Sequence, residues 1–169
     1  MPFTQLTRRT RLTRRTGLAL ATGACVLAAG AAFAVHALTG TDAGVPPAKE
    51  SGAPHCLRVT EDAPASLGGL SRRDNSLPGI AVWGDRGIVL RCGVTPPGPS
   101  GDPCFAVDGV DWVIDQEQST PDRKVIVTYG RSPATQVIFG GGGKTDAALV
   151  GLSRLVAPIP QTSQCLAAN

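Results

Sequence analysis

Histidine is nearly missing from this chain, which holds two, and only His55 lies beyond the first forty residues. A Ser-His-Asp hydrolase needs an imidazole to carry its proton, and one histidine beside Cys56 argues against that chemistry. Absent too are G-x-S-x-G, S-x-x-K and H-E-x-x-H. Structural zinc would need cysteines grouped as C-x2-C or paired histidines, and neither occurs. Asp108, Asp111 and Asp115 do not follow the D-x-[DN]-x-[DN]-G order of a calcium loop. Nothing in the sequence calls for a cofactor.

One motif comes close to a nucleotide site and fails on spacing. Gly140 to Thr145 reads GGGGKT between a strand-like and a helix-like segment. A phosphate-binding loop needs its first glycine five places before the last, and that position is Ile138. The Val113-Ile114-Asp115 run resembles a magnesium aspartate, but apolar runs ending in Asp are common in strands. The Gly-rich stretch reads as a flexible loop feeding a helix, with no nucleotide implied.

Acids are missing ahead of Gly17, where Arg8, Arg9, Arg11, Arg14 and Arg15 are followed by an uncharged apolar run to Leu38. Twenty-two residues at about 1.5 Å each make roughly 33 Å of helix, enough to cross a hydrocarbon core of about 30 Å. The arginines then predict a cytoplasmic tail at 1–16, a membrane anchor or signal segment at 17–38 and an extracytoplasmic remainder. Two other fates stay open. Ala32-Phe33-Ala34 is a small-x-small cleavage site that would release the protein, and Cys25 after Thr22-Gly23-Ala24 would serve a lipid anchor.

Beyond the first sixteen residues the chain is no longer basic. That tail holds five of the sixteen basic residues and none of the thirteen acids, leaving eleven against thirteen, a balance of −2. The footprint of a nucleic-acid binder is therefore lacking. Residues 39–54, rich in Pro, Gly and small or charged residues, read as a linker, and residues 55–169 as one extracytoplasmic domain. Its four cysteines suit two disulfides in an oxidising compartment. Loop length favours Cys92 with Cys104, flanking VTPPGPSGDP, and Cys56 with Cys165, bracketing the domain. In the chain-entropy account these contribute roughly 3 and roughly 4.7 kcal/mol.

Periodicity predicts an α+β domain. Gly87 to Val94, Val110 to Asp115, Lys124 to Tyr129 and Thr135 to Phe139 read as strands with period-2 alternation, and short Gly- or Pro-containing connections favour antiparallel pairing. Ala148, Leu149, Leu152, Leu155 and Val156 lie at helical spacing within Thr145 to Val156, with Thr145 or Asp146 as cap. A short helix over Asp62 to Arg73 is suggested by Ala65, Leu67 and Leu70, against the interruptions of Pro64 and Gly68-Gly69. The expected architecture is an antiparallel sheet of about four strands with one or two packed helices and two disulfides, preceded by an N-terminal membrane helix.

Cys56, Leu70-Ser71-Arg72-Arg73, Ala81-Val82-Trp83-Gly84-Asp85, Ile88 to Val94, Val107 to Trp112 and Tyr129 to Pro133 follow one another in an order that resembles the actinobacterial family catalogued as domain of unknown function 3515. The resemblance covers nearly the whole domain. Ala63-Pro64 departs from the Leu-Pro pair usual in that family. The resemblance implies a small secreted or membrane-anchored protein with no established activity, leaves mechanism open, and weakly implies a role in the cell envelope.

These readings lead to a non-catalytic, membrane-anchored cell-envelope protein that binds a partner protein or the wall. An envelope enzyme of hydrolase type, built on paired carboxylates, is the competing class. Alternation sends Arg91 and Asp111 to the polar side of the sheet, as a candidate cross-strand pair, and places Asp85 and Arg131 at strand ends where loops carry function. Asp85 and Arg131 are expected to contact the partner, with Arg91 and Asp111 beside them. Trp83 and Trp112 are expected to support the fold.

Overall fold

The computed structural model of the protein describes residues 43–141 and 144–166. The predicted basic tail, the anchor at 17–38, the cleavage site at Ala34 and Cys25 lie outside the described residues. Among the described residues no helix is long and apolar enough to cross a membrane.

Among the described residues eight strands and two helices follow in the order α1 (Pro54–Glu61), β1 (Ser66–Leu67), β2 (Leu70–Arg73), β3 (Ile80–Trp83), β4 (Ile88–Val94), β5 (Cys104–Val107), β6 (Val110–Ile114), β7 (Lys124–Thr128), β8 (Ala134–Phe139) and α2 (Thr145–Val156). They form one sheet in the order β1-β2-β3-β4-β8-β7-β6-β5, every neighbouring pair antiparallel. The expectation of about four strands is thus corrected to eight. The four strands anticipated from alternation are β4, β8, β7 and β6, which lie side by side in the middle of the sheet. Missed were the flanking ones. β3 is buried at all four positions, so it shows no alternation. β1 and β2 occupy the place of the expected helix at Asp62 to Arg73. Leu67 pairs with Leu70 around Gly68-Gly69, both at positive φ, a two-residue hairpin turn that a helix cannot accommodate.

Both helices cover one face. Ile88, Leu90 and Cys92 of β4, Val137 and Phe139 of β8, Ile126 of β7 and Trp112 of β6 form the main core with Cys56 and Val59 of α1 and Ala148, Leu152 and Val156 of α2. Trp83 and Trp112 are both fully buried there. Each indole N–H is satisfied, Trp83 donating to the Pro64 carbonyl at 2.9 Å and Trp112 to the Ser153 hydroxyl at 3.0 Å. Lys144 occupies the N-cap of α2, and no side chain caps that end, so Thr145 and Asp146 do not take the expected role.

The opposite face has a second core of Ile80, Val82, Val89, Val125 and Ile138, and Ala43 is part of it. Of the linker expected at 39–54, the described part from residue 43 on is packed against the sheet. Ala43, Ala48 and Ser51 are buried, and Arg91 donates to the Pro46 carbonyl at 2.8 Å. The Glu50 amide donates to the Gly93 carbonyl at 3.1 Å. Gly93 sits at a β-bulge with φ +98°, and a Cβ there would collide with the Glu50 backbone. A few small apolar residues suffice for burial when a sheet already offers a flat apolar face. From residue 43 on, the stretch is therefore a strap on the sheet.

The disulfides join Cys56 to Cys92 and Cys104 to Cys165, with Cα separations of 5.3 and 5.9 Å. The expected pairing of Cys92 with Cys104 and Cys56 with Cys165 is overturned. β4 and β5 are close in sequence, yet β8, β7 and β6 lie between them. Four strand spacings amount to about 19 Å, well beyond the roughly 7 Å that a disulfide tolerates between Cα atoms.

Candidate functional site

The residues singled out from the sequence divide into two groups. Arg131 and Asp111 come together, while Arg91 and Asp85 stand apart from them and from each other.

Arg131 follows β7 and is 5 % exposed. Its guanidinium donates to the carbonyls of Ala157 at 3.0 Å and Ile159, and to Gln161 Oε1 at 3.0 Å. These acceptors all belong to the segment that follows α2. Arg131 is therefore committed to holding that segment and is not the exposed partner contact expected of it. Burial pulls its pKa below the ordinary arginine value, and the neighbouring Asp111 carboxylate acts in the opposite direction. An arginine so placed still keeps its charge at neutral pH.

Asp111, on β6, is buried on the same side. One carboxylate oxygen accepts from Gln161 Nε2 at 2.9 Å and from the Cys165 amide at 2.8 Å. Two β-type contacts complete the attachment. Arg131 forms a bridge with Gln161, and the Thr162 amide donates to the Gly130 carbonyl at 2.7 Å. Gly130 lies at φ +69°, and a Cβ on it would strike the Ser163 backbone. The C-terminal segment thus rests on Gly130 much as the N-terminal strap rests on Gly93.

The cross-strand pair of Arg91 with Asp111 does not form, because β8 and β7 separate their strands. Arg91 is half-buried and serves the strap. Asp85 is exposed in the four-residue turn between β3 and β4 and is not among the hydrogen-bond partners of Arg131. The remaining acids are dispersed. Asp108 makes a solvent-exposed ion pair with Arg154 at 2.9 Å, and Asp115 accepts from the Gln118 amide at 2.9 Å. His55 stands at the start of α1, with Arg58 2.9 Å from its Nδ1. Among the described residues no group of three or more His, Cys, Asp or Glu is placed to hold a metal ion.

A cleft of about 420 Å³ opens where the C-terminal segment meets the sheet edge. Val113 of β6, Tyr129 next to β7, Pro99 and Pro103 of the loop before β5, and the Cys104–Cys165 pair with Leu166 line it. Val113 points away from the helices, since its β6 neighbours Trp112 and Ile114 pack on the main core. Asp102 on the rim accepts from Ser100 and Gln116, both at 3.0 Å. Leu166 is 94 % exposed. Sequence reasoning passed over Tyr129 and the 99–103 loop. The usable signal was the Asp108-Gly109 pair, a two-residue hairpin turn between Val107 and Val110 that pairs β5 with β6 and so brings the proline loop preceding β5 beside β6.

A family model described as "Protein of unknown function (DUF3515)" matches residues 16–164. No curated protein and no solved structure matches significantly.

Proposed function

The chain belongs to the family of proteins of unknown function DUF3515, and from that premise, which brings no activity with it, we propose that it is a non-catalytic binding module held at the outer side of a membrane by residues 17–38. The observation that carries this reading is how the polar side chains are used. Arg131, Asp111, Arg91 and Trp112 all serve to fasten chain segments to the sheet. Catalysis of hydrolase type asks for titratable groups that converge on one cavity with shifted pKa values. Here the carboxylates of Asp108, Asp111 and Asp115 are engaged in three different places.

The cleft offers prolines and a tyrosine, stiff side chains that gain contact area at small entropic cost, beside an exposed leucine. A segment of a partner protein in the envelope suits that lining. The exposed Asp85 turn provides a second, separate contact candidate.

Crosslinking in native envelope, followed by capture of the full-length chain, tests the reading. Tyr129→Ala and Leu166→Ala should reduce recovery of the same crosslinked species at least fivefold with an unchanged melting transition. Full recovery with both variants would remove the cleft from consideration. Turnover of a wall-derived substrate by the purified protein would overturn the binding reading itself.

A further inference from the structure

The two disulfides differ in accessibility, and the difference falls on the one that closes the cleft. Cys56 and Cys92 are completely buried between α1 and β4. Cys104 and Cys165 are half-buried, and both line the cleft. We propose that Cys104–Cys165 is a reducible latch. An external dithiol entering by the cleft opens it while Cys56–Cys92 stays closed, and the chain beyond the Arg131 clamp then swings away from Val113 and Tyr129.

Thiol–disulfide exchange accounts for every atom and electron. A thiolate of the dithiol attacks one protein sulfur, the S–S bond breaks, and a mixed disulfide forms with one protein thiolate as leaving group. The second thiol of the reductant then displaces the other protein sulfur, leaving a cyclic disulfide on the reductant and two protein thiols, with two electrons and two protons transferred. Attack requires access to a sulfur, and Cys104 and Cys165 border the cleft whereas Cys56 and Cys92 are completely enclosed in the core.

What moves is set by the remaining contacts. Arg131 holds Ala157, Ile159 and Gln161, and Gly130 holds Thr162. Past these, the Cys165 amide has a single protein partner, one oxygen of Asp111. Without the covalent bond that single part-buried hydrogen bond is what remains on residues 164–166, so they are released while 157–162 stay docked. The effect on partner binding rests on the cleft being the contact surface, whereas selective opening does not.

Oxidised full-length protein is exposed under native conditions to dithiothreitol and quenched at intervals with N-ethylmaleimide. Labelling is then read by peptide mapping and amide hydrogen exchange on the same samples. Cys104 and Cys165 should label at least tenfold faster than Cys56 and Cys92. In that species the Cys165 amide should lose protection at least tenfold, and the Thr162 amide should keep it. Equal labelling of all four disulfide-bonded cysteines, or labelling only on global unfolding, would overturn the selectivity. Unchanged protection at Cys165 after reduction would overturn the latch. The Cys104→Ser variant supplies the open state without reductant and should show the same exchange pattern. Should it fail to fold, the reduced wild type decides alone. Because these readouts need no partner, their failure is distinct from a failure of crosslinking at the cleft.

Discussion

At the scale of single residues, burial separates fold from surface more sharply than residue type does. Arg131 looks like a contact residue in the sequence because arginine at a strand end is usually solvated. Its guanidinium instead replaces water for three acceptors of the C-terminal segment. Arg131→Ala should therefore lower stability by about 3 kcal/mol, as expected when buried acceptors lose a charged donor. Urea denaturation of the oxidised protein measures this. Asp85→Ala, in an exposed turn, should stay within about 0.5 kcal/mol of wild type in the same experiment. Ser153→Ala probes another buried polar contact, where loss of the hydroxyl orphans the Trp112 indole N–H and should cost about 1–3 kcal/mol.

At the scale of elements, both ends of the domain are fastened by segments without regular structure of their own. The N-terminal strap covers Val82, Val89 and Ile138. A chain beginning at Ala53, which keeps α1 intact but removes the strap, should be less stable than one beginning at Ala43 by about 2–4 kcal/mol, from the apolar surface exposed. Comparing thermal melts of the two forms checks this, and equal melting would show that the strap is dispensable. Gly130→Ala tests the C-terminal fastening, since the new methyl group meets the Ser163 backbone at a positive φ. An increase in exchange confined to residues 157–166 is the expected result.

At the scale of the whole molecule, the two disulfides close consecutive loops, with separations of 36 and 61 residues. Each therefore restricts its own part of the unfolded chain, in the chain-entropy account by about 3.8 and about 4.3 kcal/mol. Replacing the Cys56–Cys92 pair by alanines should lower stability by an amount of that order. The topology proposed for the full chain has a direct check. A reporter fused after Asn169 that works only outside the cytoplasm should be active if, as proposed, the arginine cluster holds the N-terminus inside. Activity of a cytoplasm-only reporter at the same position would refute this arrangement.

The sequence by itself determined the central strands, the C-terminal helix and the family, because alternation, helical spacing and the W-G-D and L-R-C-G-V segments are local patterns. β6 and α2 were legible for that reason, with Val110 and Trp112 on one face and Ala148 and Leu152 on one stripe. β3 was not, since a strand covered on both sides has no polar face to reveal it. The strap was hidden by composition, because Ala43 and Ala48 are too small to mark a core segment until Ile80 and Val89 lie beneath it. Only the tertiary structure decided the cysteine partners and the role of Arg131. Both depend on strand order, which folds the second four-stranded meander back so that β8 meets β4 and places β5 at the far edge. That order is a property of long-range packing, and no window of the sequence contains it.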